Sequence, residues 1–226
     1  MKTLTVIPTR AERDLFLQSC RDMGYQAETR AIGRLSSAYL PLLDLAIAGG
    51  GLGKAQFAVQ TQYLIDTAHW DLVICAGAAG ALADGLAAGD VVIATETVEH
   101  DIRNLFGPPH LPRFSGSKEH LEKCRGAFQL APVCRVHFGP IASGDEDIAD
   151  PKRRKALRSR TGALAVAWEG AGGARACKFS EVPFLEIRGV TDSADALAAL
   201  TFLLNLKRTM KNVAWVVTSL PGLKEP

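Results

Sequence analysis

The sequence predicts an α/β protein, a three-layer sandwich around a central mixed, largely parallel sheet. Two near-continuous apolar runs, at 71–76 and 90–97, have the pattern of strands buried on both faces. Short β-rich runs alternate with stretches of helical apolar spacing along the chain, the arrangement that lets helices cover both faces of a sheet. A length of 226 residues, 47% of them hydrophobic, fits one domain spanning 1–226 with a single large core.

Taken in order, Thr3–Ile7 reads as the first strand, and 10–23 as a helix with Leu15, Phe16 and Cys20 at helical spacing. The run 43–48 is a second strand, after which Gly49, Gly50 and Gly51 lead into a helix at 54–68. Strands at 71–76 and 90–97 are followed by strands at 133–142 and 184–190. Between those last two, Asp150 and Pro151 have the form of an N-cap and first helical residue, with Gly162 as the stop. A long, largely apolar helix closes the chain at 197–220. The segment 104–117, rich in Pro, Gly and His, is the one long irregular loop, and such loops in compact domains often carry function.

Composition excludes several classes. A net charge of +2 with 22% charged residues lacks the basic excess of a dedicated nucleic-acid binder. The five cysteines, Cys20, Cys75, Cys124, Cys134 and Cys177, are odd in number and form no C-x-x-C pair. They argue against a disulfide framework or a thiolate zinc site, and for a reducing cytoplasm. The apolar part of the N-terminus is too short for a signal peptide, and no apolar run reaches the roughly 18–20 residues that cross a bilayer. The expectation is a soluble, cytoplasmic protein with no membrane partner.

Some apparent signals dissolve on inspection. The stretch 49–56, GGGLGKAQ, has the look of a phosphate-binding loop, but Ala48 stands where its first Gly belongs and Ala55 replaces the Ser/Thr that would ligate magnesium. The stretch 75–80, CAGAAG, is out of register with a dinucleotide fingerprint and lacks the acidic ribose ligand downstream. The five histidines are scattered without metal-ligand spacing, so no metal is expected. The basic run 152–160 reads as the solvated face of a helix rather than a nucleic-acid patch.

What remains is a set of carboxylates beside small residues at strand ends, where open α/β sheets bind ligands. Asp192 ends the strand IRGVTD, with Arg188 four residues earlier. Glu169 enters a helix poor in bulky side chains, and Glu12 stands just after the first strand. Any one of these acids taken alone is equally well a helix cap or a surface charge.

Together with their surroundings, these segments resemble a known family. CAGAAGALADGLAAGDVVIATETVEHD at 75–101 is similar to the central segment of methylthioadenosine/S-adenosylhomocysteine nucleosidases and their purine nucleoside phosphorylase relatives. GGGLGKAQFA at 49–58, SGDEDI at 143–148, AVAWEGAGGARAC at 165–177 and PFLEIRGVTDSAD at 183–195 resemble further family motifs, in family order. The resemblance implies a nucleoside phosphorylase-like fold, no cofactor, and cleavage of a purine from C1′ through a cationic sugar. It assigns Asp192 to protonating purine N7, Glu12 to orienting and deprotonating water, Arg188 to supporting that water and the carboxylates, and Glu169 to the ribose hydroxyls. Such a carboxyl acid needs a raised pKa to work near neutrality. Trp168 stands where the family usually has Met, Gly80 and Ile148 match substrate-lining backbone, and Ala78 falls where nucleosidases often place Ser.

Water and phosphate are the two possible attackers. The phosphorylase-type arginine position is Cys75 here, and the first-strand loop ending in Glu12 resembles the nucleosidase pattern, so hydrolysis is favoured; Arg10 leaves phosphorolysis as an alternative. Asp147 occupies the position of a stacking Phe, and Ala167 replaces a commonly acidic residue. A carboxylate does not stack on a base as an aromatic ring does. These departures, with Trp168, point to a changed base or 5′ substituent; 5′-thioadenosines stay the first expectation, with hypoxanthine-type or otherwise 5′-modified nucleosides close behind. The resemblance further implies a homodimer in which the loop after His100-Asp101, bearing Leu105, Phe106 and Leu111, reaches the neighbour's pocket, flanked by Phe202, Met210 and Trp215. A non-catalytic nucleoside-binding protein on the same scaffold is the competing class.

Overall fold

The computed structural model describes residues 1–107 and 110–223. The first strand, β1 (Thr3–Ile7), pairs in parallel with β4 (Leu45–Gly49) on one side and with β5 (Leu72–Ala81) on the other. An antiparallel hairpin, β2 (Glu28–Ile32) and β3 (Leu35–Leu40), extends the edge beyond β4. On its far side β5 runs parallel to β10 (Phe184–Asp192). Beyond it lie β6 (Val91–Glu99), antiparallel to β10, β8 (Val136–Ser143), parallel to β6, and β9 (Ala165–Ala167). Because β9 pairs back onto β5 at Gly80–Val166 and Ala81–Ala165, β5, β10, β6, β8 and β9 close on themselves as a ring. A short β7 (Arg113–Ser115) hangs from β6.

Helices cover both faces. Strand alternation sends Leu72, Ile74 and Ala76 of β5 into a core shared with α1 (Arg10–Asp22) and α6 (Ala198–Thr218). Val73 and Cys75 point the other way, into a core shared with α2 (Lys54–Thr67) and α5 (Gly170–Phe179). Those two helices pack so closely that a Cβ on Gly172 would strike the Lys54 carbonyl oxygen. The small-residue run after Glu169 therefore buries backbone against backbone. The remaining helices are α3 (Lys118–Ala127) and α4 (Pro151–Thr161).

Most expected elements lie within a few residues of their sequence positions. The strand at 43–48 starts later, because 41–43 form a 3₁₀ turn, and the strand expected from 133 begins at Val136. Asp150 caps α4 by accepting from the amides of Lys152 and Arg153, and Gly162 ends it at φ 73°. Within the expected irregular segment 104–117, β7 is regular, and Pro108 and Pro109 lie outside the described residues. The basic run of α4 does more than face solvent: Arg153 holds Glu146, Arg154 holds Asp84 and the Ala81 carbonyl, and Arg160 donates to the His100 carbonyl. Met210 and Trp215 do not flank the 104–117 loop. Met210 is fully buried in the α1–α6 core, and Trp215 packs edge-on against Phe128, centroids 5.7 Å apart.

Candidate active site

The turn between β1 and α1 fixes Glu12. Thr9 is the helix N-cap: its Oγ1 accepts from the Glu12 amide at 3.2 Å, while Glu12 Oε2 accepts from the Thr9 amide at 3.1 Å and the Thr9 hydroxyl at 2.5 Å. The second carboxylate oxygen, Oε1, accepts from the Ala78 amide on β5 at 2.8 Å. Both oxygens of a buried carboxylate are thus tied to backbone that the fold holds rigid.

Arg188, on β10, is the largest fully buried side chain. Its guanidinium donates to Glu186 Oε1 at 2.9 Å, Glu169 Oε2 at 3.3 Å, the Cys75 sulfur at 3.2 Å and the Ala78 carbonyl at 3.4 Å. Burial works against the charge, but Cys75 and the carboxylates of Glu186, Glu169 and Glu12 outweigh it and raise the pKa of Arg188. Gly77 is required between these groups: a Cβ there would sit 2.7 Å from Arg188 Nη1 and 2.9 Å from Glu12 Oε1. Glu186, fully buried, also accepts from the Thr97 hydroxyl at 2.5 Å. Sequence reasoning missed it, although Glu186 and Arg188, two residues apart in an otherwise apolar strand, must share a face.

Glu169 precedes α5 and accepts from the Gly53 amide at 3.3 Å as well as from Arg188. Burial raises its carboxyl pKa; Arg188 pulls it back and Glu12 adds to the rise. The 49–56 glycine loop therefore turns its amides toward carboxylates, Gly53 to Glu169 and Lys54 to Asp145, and the Lys54 ammonium is held by Glu99 and Asp101.

Asp192 ends β10 at a register shift opposite Gly80 of β5. Its Oδ1 accepts from the Ala194 amide at 2.9 Å and its Oδ2 from the Thr191 hydroxyl at 2.8 Å. A Cβ on Gly80 would lie 2.8 Å from Asp192 Oδ1, so only glycine leaves room for the carboxyl. Burial pushes the pKa of Asp192 upward, opposed by those two hydrogen bonds and reinforced by the nearby charges of Asp195 and Asp147.

These groups open into one cavity of about 590 Å³. Asp192, Glu12, Arg188, Glu169, Trp168, Gly80, Ile148, Ala78 and Asp147 all line it, together with Thr9, Leu52, Glu146, Thr191 and the α6 residues Ala198, Ala199, Phe202 and Leu203. Asp147 is exposed at its rim. Cys75 is not in the lining but lies buried beneath, where burial keeps its thiol well above the usual range. Arg10 is largely exposed and pairs with Asp14 at 3.4 Å, away from the cavity. Arg188 is the only cation among the lining residues described. No cluster of three or more His, Cys, Asp or Glu able to hold a metal ion occurs among the described residues, and no described helix is long and apolar enough to cross a membrane.

The family model of the phosphorylase superfamily matches residues 6–220. The chain belongs to the phosphorylase superfamily. Within the superfamily it is 36% identical over 172 residues to a 5′-methylthioadenosine/S-adenosylhomocysteine nucleosidase of Exiguobacterium, covering 73% of this chain and 74% of that one. Among solved structures, the nucleosidase of the same name from Neisseria meningitidis, in complex with methylthio-immucillin-A, superposes with a TM-score of 0.84 at 32% identity, over 97% of this chain and 98% of that chain. The Streptococcus pneumoniae nucleosidase bound to a transition-state inhibitor gives a TM-score of 0.84 at 26% identity, over 97% and 98%.

Proposed function

We propose that this superfamily member is a purine nucleosidase that hydrolyses the N-glycosidic bond of a 5′-modified purine nucleoside, as its named relatives do with 5′-methylthioadenosine and S-adenosylhomocysteine. The observation that carries the reading is the pairing, in one cavity, of a half-buried carboxyl with a raised pKa, Asp192, with a buried carboxylate held on both oxygens, Glu12. Asp192 delivers its proton to purine N7, so the base leaves neutral as the C1′–N9 bond breaks. Glu12 orients a water at C1′ and takes one of its protons as the C1′–O bond forms. Arg188 holds Glu169 and supports the water site, and Glu169 accepts from the ribose hydroxyls. Trp168, Gly80, Ile148 and Ala78 form the walls, and Asp147 meets an N–H of the base in place of a stacking ring.

Hydrolysis is favoured over phosphorolysis because the one cation lining the cavity, Arg188, is already bonded to Glu169 and Glu186. A phosphate dianion there would face carboxylates rather than free arginines. The test is release of free base, followed by chromatography, from methylthioadenosine, S-adenosylhomocysteine, adenosine, inosine and futalosine with and without phosphate. Release that requires phosphate would overturn the reading in favour of a phosphorylase, and binding without turnover would mark a nucleoside-binding protein.

We infer that one domain, 1–226, forms a cytoplasmic homodimer. Five free cysteines, four of them buried, fit a reducing compartment. The loop after His100-Asp101 presents Ile102, Leu105 and Phe106 to solvent, an apolar segment suited to cover a neighbour's cavity. A mass of one chain by light scattering at working concentration would remove the dimer.

A further inference from the structure

Glu186 takes no part in the reaction above, yet the fold is built to hold its carboxylate. The residue is fully buried on β10, outside the cavity lining. Its Oε1 accepts from Arg188 Nε at 2.9 Å and its Oε2 from the Thr97 hydroxyl of β6 at 2.5 Å. A Cβ on Gly170, the first residue of α5, would strike this carboxylate, so the glycine keeps space for it.

Balancing the charge of Arg188 does not require Glu186. Glu169 already accepts from Arg188 Nη2 at 3.3 Å, and Glu12 Oε1 lies with Nη1 beside Gly77. Three carboxyl groups thus converge on one guanidinium. A carboxylate buried beyond the one that balances a charge is costly, and an apolar side chain is the ordinary occupant of a fully buried strand position. The cations nearby, Lys54 and Arg175, are held by Glu99 and Asp101 and do not line the cavity.

The third carboxyl has two effects at the cavity floor. It commits the guanidinium: Nε goes to Glu186, and Nη2 to Glu169 and Cys75, so the paired donors that a phosphate would take are already occupied. It also leaves the floor with more carboxyl groups than cations, a field that favours a positive sugar and repels a dianion.

We propose that Glu186 is a positioning residue that acts through Arg188, holding the guanidinium on its neighbours and giving the floor its negative excess, so that the site supports a cationic sugar with water beside it and turns phosphate away. The proposal rests on the nucleosidase reading above and names the residue that selects its attacker.

The experiment compares Glu186→Gln, which keeps the shape and removes the charge, with Glu186→Asp, which keeps the charge and shortens the arm. Base release from methylthioadenosine is followed against inorganic phosphate. Calorimetry gives Kd for phosphate, for a neutral nucleoside analogue that cannot be cleaved, and for an analogue with a protonated pyrrolidine in place of the ribose. In the glutamine protein phosphate binds at least about tenfold more tightly, and it inhibits or joins the reaction at concentrations that leave the wild type untouched. The protonated analogue binds about tenfold to a hundredfold less tightly, the neutral one is unchanged, and kcat falls with KM retained. Glu186→Asp follows the wild type in its phosphate response and in the ratio of the two analogues. If the glutamine leaves too little folded protein, Thr97→Val/Glu186→Leu removes the same charge without an orphaned hydroxyl and carries the same expectation. A charge-free variant with the wild-type phosphate response and analogue ratio overturns the proposal and leaves Glu186 a structural counter-ion. A change shared equally by the aspartate protein overturns it too, since shape rather than charge would then be the cause. Base release that needs phosphate in the wild type sinks the nucleosidase reading and the proposal together, and with no base release at all the analogue ratio still decides the role of Glu186.

Discussion

Replacing Thr9 by Val keeps the shape of the side chain and removes only its hydroxyl. Two of the four hydrogen bonds that tie Glu12 into its turn then disappear: the 2.5 Å donation to Oε2 and the acceptance from the Glu12 amide at 3.2 Å. The 3.1 Å bond from the Thr9 amide and the 2.8 Å bond from Ala78 remain. Loss of the helix cap costs about 1 kcal/mol, and loss of a hydrogen bond to a charged group about 1.5–3 kcal/mol. Part of the second is recovered when water reaches the freed oxygen, so a net destabilisation of about 1–3 kcal/mol is expected. For a chain of this size each kcal/mol lowers Tm by about 2–4 °C. If the hydroxyl also aims Glu12 at the attacking water, kcat for base release falls about tenfold to a hundredfold, with little change in KM. Thr9→Ser retains both bonds and behaves as wild type. Scanning calorimetry beside a chromatographic adenine assay reads both effects. A variant that melts early but keeps its kcat would show that the two amides alone aim Glu12, and an unchanged Tm would refute the capping argument itself.

Three further outcomes follow from the same geometry. Asp192→Asn lowers base release by about a hundredfold to ten-thousandfold, the range for loss of a general acid, while binding persists by calorimetry; retained turnover would remove Asp192 from its role. Because burial raises the pKa of Asp192, the folded state holds its proton more tightly than the unfolded chain does, and its stabilising contribution is present at acid pH and lost as pH rises through the folded pKa. The Asn variant therefore melts at or above the wild-type temperature at pH 7, an advantage that vanishes near pH 4, and a wild type more stable than the variant at pH 7 would contradict the sign. Gly172→Ala forces a Cβ against the Lys54 carbonyl, a backbone atom that cannot swing aside, and destabilises by about 1–3 kcal/mol; an unchanged melting temperature would show that α2 and α5 yield freely.

The sequence made the buried parts of the sheet visible and the half-exposed parts obscure. β5, LVICAGAAGA, is apolar on both faces and needed no context to be recognised. The β2–β3 hairpin escaped because β2 reads ETRAI, with four of five residues exposed, and its stability comes from pairing with β3 rather than from burial. Three-residue β9 is too short for any period to show, yet it closes the ring. Within α3, His120, Leu121 and Cys124 carry the buried spacing, but KEHLEKCRGA is too charged to stand out. In the site, Glu12, Glu169, Arg188 and Asp192 were recognisable from the motifs around them. The T-x-x-E pattern at Thr9 carries the capping signal in the sequence itself, and Glu186 is masked by its apolar strand.

The ring that β9 and β10 complete has a consequence for how this protein comes into being on the ribosome. Glu12 is made almost first and Asp192 almost last, and Arg188, to which Glu169 is bonded, lies on the strand that must slot between β5 and β6. A nascent chain that has emerged through β8 carries an open sheet edge and lacks Glu169, Arg188 and Asp192. A product cut short before β10 lacks Arg188 and Asp192 and the strand that joins β5 to β6, so the floor of the cavity is never completed.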